Sequence, residues 1–355
     1  MLLEPLRLRN GVLARNRAWL APLTNQQSHA DGSLSDDELA WLLSRARGGF
    51  GAVETCASHV ALDGQGWAGE LGVYDDALLP GLRRLAVELR AAGALSLVQL
   101  FHGGLRAPAD LIGEVPWSAT ASSEPVARAA TEADIQRVMV QFQAAALRCA
   151  QAGFDGVELH GAHGYLFGQF LSSTNQRTDG WGGGLSGRCR LLRETLGLVR
   201  AAVPPTFTVG VRLSPEDFGN AKGIDLDESI EVARQLADGG ADFIHVSLWD
   251  AKRNTKKRPD QHAVPLFRAA LPPEVALVAA GGIWTREDAE ALLEMGATAV
   301  AIGRAAILNP SWARDVADAS WTPRRPPVTI AELRDRALNA TFAEYMRRWK
   351  GFVAD

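Results

Sequence analysis

Two histidines and a tyrosine lie close together in one short stretch of the chain, VELHGAHGYL (residues 157–166). His160 and His163 are two of only seven histidines, and Tyr165 follows two positions later. The two imidazoles could bind a metal ion, or they could be hydrogen-bonded structural residues. They could also converge on one substrate oxygen and stabilise negative charge that forms there. In that case Tyr165 is close enough to give a proton to the adjacent carbon.

The grouping of all three residues at the end of one apolar run favours a catalytic role. A metal-dependent hydrolase would need further ligands, usually including a His-x-His pair on the first strand, where this chain has APLT (21–24). His102 and His245 remain as possible ligands, but the sequence shows no matching carboxylate. We therefore expect no bound metal and keep the hydrolase as a weaker alternative.

The elements that must position these residues form a repeating pattern. Helical segments that end at glycine are followed by short apolar runs, as in AGFDGVELH (152–160) and MGATAVAIG (295–303). Glycine suits the left-handed position after a helix, and the runs lack the polar alternation of half-exposed strands. Eight strands alternating with eight helices predict an α/β fold, a (β/α)₈ TIM barrel. A doubly wound open sheet is the alternative.

The predicted elements can be placed along the chain. Strands are expected at 17–21, 206–213 and 275–279, and within 48–57, 92–101, 152–160, 239–247 and 295–303. Helices are expected near 36–47, 77–92, 131–151, 188–202, 227–238, 262–270, 285–294 and 310–318. Thr131, Asp227 and Thr285 are the expected N-caps of three of these helices.

The chain divides near residue 320. We expect residues 1–320 to form the barrel and residues 321–355 to form a C-terminal extension after the proline-rich stretch TPRRPPV (322–328). A helix near 330–349 is expected in that extension. It could dock on the barrel or contact a second subunit.

Glycines follow the last two predicted strands. The loops after strands 7 and 8 of such barrels frequently bind phosphate. Gly282 and Gly303 would let backbone N–H groups approach an anion closely, and Arg304 would add charged donors. We therefore expect an anion site there, although glycines of this kind can also serve only as tight turns.

Composition narrows the functional class. With 37 basic and 41 acidic residues the net charge is −4, which argues against a general nucleic-acid binder. Hydrophobic residues make up 47% of the chain, but no apolar run is long enough to span a bilayer. The three cysteines form no CxxC pair, and the N-terminus lacks the apolar core of a secretory signal, so we expect a cytoplasmic protein.

Several motifs together resemble the Old Yellow Enzyme family of FMN-dependent oxidoreductases. The resemblance runs from about Pro5 to Trp312. It is carried by APLTNQ (21–26), RARGGFGAVET (45–55), QLFHGG (99–104), PWSATA (116–121), HGAHGYLFGQFLSSTNQRTDGWGG (160–183), VRLSPED (211–217), AAGGI (279–283) and AIGRAAILNP (301–310). The segment 160–183 is the most specific of these.

The resemblance implies a tightly bound FMN across the barrel mouth, with its phosphate at Gly282, Gly303 and Arg304. Four residues would line the flavin ring or bond its O4 edge, namely Pro22, Leu23, Thr24 and Ala57. Gln99 would bind the pyrimidine edge and Arg212 would lie near N1 and O2.

The resemblance also implies a reaction. NADH or NADPH would reduce the flavin, and N5 would pass the hydride to the β-carbon of an α,β-unsaturated carbonyl or nitro compound. His160 and His163 would hold the substrate oxygen, and Tyr165 would protonate the α-carbon. A flavin-dependent amine dehydrogenase or desaturase is the alternative within the flavoenzymes. Relatives are often oligomers, so self-association is expected by analogy.

Two features depart from the family pattern or add to it. The HAGR motif reads HGGLR here, so Arg106 comes one residue late and receives no assigned role. The loop DAKRNTKKRPDQH (250–262) holds five basic residues within 252–258. That loop could be simply solvated, or it could bind an anionic ligand such as the NADPH 2′-phosphate.

Overall fold

Eight parallel strands close into a barrel in the computed structural model, which describes residues 1–354. Each strand pairs with the next in chain order, and the eighth pairs with the first, as the (β/α)₈ prediction requires. The strands are β1 (Ala18–Leu20), β2 (Ala52–His59), β3 (Leu95–Phe101), β4 (Gly156–Gly161), β5 (Thr208–Leu213), β6 (Phe243–Ser247), β7 (Ala276–Ala280) and β8 (Ala299–Ile302).

Helices follow the strands and cover the barrel. They are α1 (Asp36–Arg47), α2 (Leu79–Ala91), α3 (Glu132–Ala152), a short α4 (Leu166–Leu171), α5 (Leu185–Ala202), α6 (Leu226–Asp238), α7 (Ala263–Ala270), α8 (Arg286–Glu294), α9 (Arg304–Leu308) and α10 (Trp312–Asp315). Thr131 and Thr285 are N-caps as expected, and each of them forms a capping box. The expected N-cap Asp227 is wrong, because the Asp225 side chain accepts from the backbone N–H of Asp227 and Glu228 and begins the helix two residues earlier.

The helix expected near 310–318 is present but is only one turn long, Trp312–Asp315. This turn, α10, is separate from α9, which lies directly after β8. Pro310 lies between them, and proline has no N–H to continue a helix. The early start of α9 places Arg304 at the barrel mouth.

Large side chains fill the lower interior of the barrel. The rings of Trp19 and Phe243 meet edge to face with centroids 5.3 Å apart. Gly210 leaves room for this packing, because a Cβ there would lie 2.1 Å from the Phe243 ring. Two short strands, Leu6–Arg7 and Leu13–Ala14, belong to the same apolar cluster. The polar strand residues that the sequence predicts for the site lie toward the opposite, carboxyl-terminal ends of the strands.

The C-terminal extension is not the one helix expected over 330–349. It contains α11 (Ile330–Arg334), α12 (Ala340–Tyr345) and a 3₁₀ turn, Met346–Arg348. Ala337 adopts a left-handed backbone with φ of 64°, which interrupts the helix. Phe342 and Met346 are buried in the main core, so the extension docks on the barrel of its own chain.

Arg45 of α1 ties this extension to α9. Its fully buried guanidinium donates to the carbonyls of Ala306 (3.2 Å) and Ile307 (3.0 Å) in α9, and to that of Arg336 (2.9 Å) in the extension. Burial lowers the pKa of Arg45 to about 9. The cation therefore holds three carbonyl groups at the place where α9 meets the extension.

Among the described residues, no helix is both long enough and apolar enough to cross a membrane.

Candidate active site

A cavity of about 300 Å³ opens at the carboxyl ends of the strands, and its wall includes every residue predicted for catalysis or for FMN binding. The predicted catalytic residues on its wall are His160, His163 and Tyr165. The predicted cofactor residues on its wall are Pro22, Leu23, Thr24, Ala57, Gln99, Arg212, Gly282, Gly303 and Arg304. Since these residues come from all parts of the barrel sequence, only the closed fold brings them together.

His160 is the second-to-last residue of β4, and its contacts determine which ring nitrogen carries the proton. Its Nδ1 accepts a hydrogen bond from the backbone N–H of Ala162 at 3.3 Å. Burial, together with the charges of His163, Arg212 and Arg106, lowers the pKa of His160 well below its usual value. A neutral imidazole that accepts at Nδ1 must carry its proton on Nε2. His160 is therefore an N–H donor at neutral pH.

His163 stands at right angles to His160, with ring centroids 5.1 Å apart. Its backbone is left-handed, with φ of 63°, and its N–H donates to Ser214 Oγ at 3.1 Å. Its Nε2 lies 2.7 Å from the hydroxyl of Ser247. Burial lowers the pKa of His163 well below its usual value. Ser247, which the prediction of site residues omits, therefore orients this ring.

Tyr165 begins the short helix α4 and is held by its neighbours. The Phe101 ring meets it edge to face at 4.5 Å, and the Arg106 guanidinium lies 4.2 Å from its ring centroid. Arg106 also donates to the carbonyl of His163 at 2.8 Å. Burial raises the pKa of Tyr165, so its phenol keeps its proton. Arg106, unassigned from sequence, thus contacts two of the three proposed catalytic residues.

Gln169 fastens the loop that carries these residues to the loop after β3. Its amide nitrogen donates to the carbonyls of Gly103 (3.1 Å) and Gly164 (3.0 Å). Its amide oxygen accepts from the backbone N–H of Leu105 (3.1 Å) and from Ser118 Oγ (2.9 Å). All four hydrogen-bonding positions of the buried amide are used, which fixes the place of Tyr165 relative to β3.

Gln99 and Arg212 form a polar part of the cavity wall. Gln99 Nε2 donates to Glu158 Oε1 at 2.6 Å. Arg212 donates through Nη2 to Ser247 at 3.2 Å, while its buried Nε has no partner among the described residues. A buried guanidinium N–H without a partner is costly unless a ligand accepts from it. This corner is therefore suited to a ligand edge rich in acceptors.

A second part of the cavity wall, formed by Gly281, Gly282 and Arg304, can hold an anion. Gly281 has φ of 155° and no space for a Cβ, which would lie 2.5 Å from the Leu248 carbonyl. Gly282 has φ of 65° and open space where a Cβ would be. The exposed Arg304 side chain makes no ion pair or hydrogen bond with any described residue. An unpaired cation beside the exposed backbone of Gly282 and the half-buried backbone of Gly281 fits a phosphate group.

The histidines do not form the metal site that a hydrolase would need. His102 lies near Asp63 (3.6 Å) and against Trp117, away from the cavity wall. His245 lies below the cavity beside two carboxyl groups, those of Glu54 and Glu158. The sequence alone did not reveal these neighbours. His160 and His163 belong to no such cluster of the described residues.

The cavity mouth has an aromatic rim that the sequence prediction missed. Trp67, Trp249, Tyr345 and Trp349 line it. Trp249 is 65% exposed and packs on Phe218 with ring centroids 3.4 Å apart. The aromatic residues in the sequence of the extension were the only signal from which this rim could have been predicted. Their place over the site depends on the broken helix, which periodicity does not predict.

The five basic side chains of the loop 250–262 all have partners within the protein. Lys257 pairs with Asp225 (2.6 Å) and Asp227 (2.8 Å), and Lys252 pairs with Asp288 (2.7 Å). The other three cations also have partners, which are Asp250 for Arg253, the Asp217 carbonyl for Lys256 and Asp227 for Arg258. These contacts favour a solvated, internally paired loop over an anion-binding one.

Known proteins share both this sequence and this fold. A YqiG protein of Bacillus subtilis, a probable NADH-dependent flavin oxidoreductase, is 35% identical over 88% of this chain and 86% of its own. NADPH dehydrogenase of Bacillus licheniformis is 32% identical over 90% of this chain and 94% of its own. The structure of an old yellow enzyme homologue from Zymomonas mobilis covers 94% of this chain and 96% of its own, with a TM-score of 0.82 and 29% identity.

The family itself is established by a match over most of the chain. Residues 1–320 match the model of the NADH:flavin oxidoreductase / NADH oxidase family. The unpartnered Arg212 Nε, the open glycine corner and the unpaired Arg304 fit FMN, which is the cofactor of this family. The chain is an FMN enzyme with NADH or NADPH as electron donor, and it belongs to the NADH:flavin oxidoreductase / NADH oxidase family, the family of Old Yellow Enzyme.

Proposed function

We propose that this enzyme reduces the carbon–carbon double bond of α,β-unsaturated carbonyl or nitro compounds. The observation that carries the proposal is the hydrogen bond that His160 accepts from the backbone of Ala162. Its Nδ1 is occupied by the Ala162 N–H, so the donor on Nε2 is available to a substrate oxygen. His163, with its ring 5.1 Å away, supplies the second contact to that oxygen.

The two imidazoles act as neutral donors in this proposal. A carbonyl or nitro oxygen gains negative charge when a nucleophile adds to the β-carbon, and donors fixed beforehand stabilise that charge. Ser247 and the Ala162 N–H hold the two rings in place. When bound, FMN supplies at N5 the hydride that it has received from NADH or NADPH.

Tyr165 completes the reaction as the proton donor. Its raised pKa keeps the phenol protonated, and its ring centroid lies 5.1 Å from that of His160. Phe101 and Arg106 restrict the ring so that the hydroxyl has a narrow range of positions. We propose that it protonates the α-carbon while the histidines hold the oxygen.

We propose that the remaining predicted residues bind the FMN cofactor. Arg212, with its free Nε, would hold the N1–O2 edge of FMN, and Gln99 would hold the pyrimidine edge. Thr24 would bond O4, while Pro22, Leu23 and Ala57 would line the ring. Gly282, Gly303 and Arg304 would hold the phosphate.

A two-step anaerobic experiment tests the proposed reaction. Holoenzyme reduced with one equivalent of NADPH or NADH should regain its yellow colour when 2-cyclohexenone is added. In His160→Ala and His163→Ala that second step should slow by about 10²-fold or more, because an oxyanion donor is lost. Bleaching by the nicotinamide should change far less in the same variants.

The alternatives give different outcomes. A wild-type flavin that stays reduced with enones and nitroalkenes, but is itself reduced by amines, would contradict the proposal and indicate an amine dehydrogenase. Equal reoxidation rates in the wild type and both histidine variants would contradict the role of the imidazoles.

A further inference from the structure

A buried cluster of ionisable groups lies beneath the cavity and has no part in the proposed reaction. It consists of Glu54 on β2, Glu158 on β4 and His245 on β6, each at most 2% exposed. One oxygen or nitrogen atom from each of the three lies within 4.8 Å of the others. Glu158 is two residues before His160 on the same strand, so the cluster is one layer below the proposed catalytic histidine.

The hydrogen bonds distinguish the two carboxyl groups. Glu158 accepts from Gln99 Nε2 at 2.6 Å and from His245 Nδ1 at 2.7 Å. Glu54 Oε1 has no hydrogen-bond partner among the described residues. Two donors stabilise an ionised carboxylate, whereas a buried carboxylate without donors is strongly disfavoured. In the wild-type arrangement these contacts favour the charge on Glu158 and the proton on Glu54.

The electrostatic surroundings agree with that assignment. Burial and the neighbouring Glu158 raise the pKa of Glu54 well above its usual value. Burial alone would raise the pKa of Glu158, but His245 and Arg212 lower it below its usual value. Burial also lowers the pKa of His245, which is therefore neutral.

Arg212 fixes the number of charges that the pair can hold. It is the cation that acts on both carboxyl groups, and it is itself buried at 7% exposure. Two carboxylates would leave one negative charge unbalanced, and two neutral acids would leave a buried guanidinium without a counterion. Because unpaired buried charges are costly, one negative charge shared by the two glutamates is the favoured state.

We propose that Glu54 and Glu158 are positioning residues that hold one negative charge between them beneath Arg212, and that this charge sets the reduction potential of the bound FMN. The inference depends on the placement of the flavin N1–O2 edge at Arg212 proposed above. The shared charge offsets part of the positive field of Arg212. Removing it stabilises the extra negative charge of reduced FMN.

If Glu54 and Glu158 share one negative charge, the midpoint potentials of holoenzyme variants should follow a particular pattern. In Glu54→Gln or Glu158→Gln the remaining carboxyl takes the charge, so the equilibrium between oxidised and reduced FMN should move by less than about threefold. In the double Gln variant no carboxylate remains, and the equilibrium should move more than about tenfold toward reduced FMN, which is about 30 mV for a two-electron couple. The proposal would be overturned if this equilibrium in the double Gln variant lay within threefold of the wild-type value. It would also be overturned if one of the two single variants alone showed the shift of more than about tenfold.

Arg212→Met separates this proposal from the placement of FMN on which it depends. If the flavin edge lies at Arg212, loss of the cation should move the equilibrium at least tenfold toward oxidised FMN. A shift in Arg212→Met without one in the double Gln variant would overturn the shared charge and leave the placement intact. No shift in either would overturn both.

Infrared difference spectra give a second readout that does not depend on turnover. Wild type minus Glu54→Gln at pH 7 should show the carbonyl band of one protonated carboxyl group, and so should wild type minus Glu158→Gln. The difference removes the bands of Glu38 and Glu70, whose pKa values burial also raises. A band that persists in Glu158→Gln would assign the proton permanently to Glu54 and overturn the sharing.

The same three groups could in principle hold a metal ion, and elemental analysis tests this. Arg212 disfavours a second cation nearby. We expect no stoichiometric metal in the purified holoenzyme. One equivalent of a divalent metal that is lost in the double Gln variant would overturn the proposal, because both carboxyl groups would then be ionised.

Discussion

At the scale of single residues, the site depends on groups whose protonation is fixed by burial. His160 and His163 are kept neutral because burial lowers the pKa of each imidazole. Tyr165 is kept protonated because burial raises the pKa of its phenol. Two neutral donors and one proton donor can therefore coexist in one cavity over a wide range of pH. Arg106 connects them through the His163 carbonyl and the Tyr165 ring.

The pH dependence of substrate reduction follows from these shifts. The rate of flavin reoxidation by an enone should stay level between about pH 6.5 and pH 9.5, because each group keeps one state there. A histidine with an ordinary pKa would cause a change near pH 6.5, and an unperturbed phenol would cause one near pH 10. Stopped-flow rates across this range check the prediction, and a midpoint between pH 6 and pH 8 would contradict it.

Tyr165→Phe separates proton donation from binding. The loss of a general acid lowers rates by about 10²–10⁴-fold, so enone reduction should slow by that amount in Tyr165→Phe. The packing of Phe101 and Arg106 against the ring should survive, and flavin reduction by NADPH should stay within a few-fold of wild type. An unchanged enone rate would show that the proton comes from elsewhere.

At the scale of elements, loops and short helices place these residues on a rigid barrel. Gln169 joins the loops after β3 and β4 through four hydrogen bonds of one amide. The C-terminal extension adds Tyr345 and Trp349 to the cavity rim. Arg45 holds the extension and α9 together, and α9 begins at Arg304, the residue proposed to hold the FMN phosphate.

Arg45→Met should therefore affect both stability and cofactor binding. The change leaves the carbonyls of Ala306, Ile307 and Arg336 without their buried donor. Each unsatisfied group costs about 1–3 kcal/mol, so we expect the free energy of unfolding to fall by roughly 3 kcal/mol or more. FMN affinity should fall as well. Chemical denaturation and fluorescence titration with FMN measure these effects. Arg47→Met, at the exposed end of the same helix, is the matched control.

The basic loop should have little influence on the choice of nicotinamide. Its cations are already paired with Asp217, Asp225 and Asp227. Changing Lys256, Lys257 and Arg258 together to alanine should leave the ratio of KM for NADPH to KM for NADH within about twofold, because these cations already have partners within the protein. A tenfold rise in that ratio would instead assign the loop to the NADPH 2′-phosphate.

At the scale of the whole molecule, the barrel could be predicted from sequence while its extension could not. Eight buried apolar runs, five of them preceded by a glycine that ends a helix, mark the strands, so the fold and the strand ends follow from local pattern. The break at Ala337 lies in the extension and follows no periodic pattern. The pairing of Ser247 with His163 and the two glutamates beside His245 depend on which strands the closed barrel brings together. Those contacts arise from closure of the barrel, and no local pattern encodes them. The division at residue 320 and a possible homo-oligomer stay predictions.

The central proposal is that hydride passes from the nicotinamide through FMN to the β-carbon of an electron-poor alkene held by His160 and His163. Its most direct test is the product of 2-cyclohexenone turnover with NADPH or NADH deuterated at both C4 positions in ordinary water. We predict cyclohexanone with deuterium at the β-carbon and a solvent proton at the α-carbon. Deuterium at the carbinol carbon of an alcohol product, or a saturated ketone whose β-hydrogen comes only from solvent, would contradict the account.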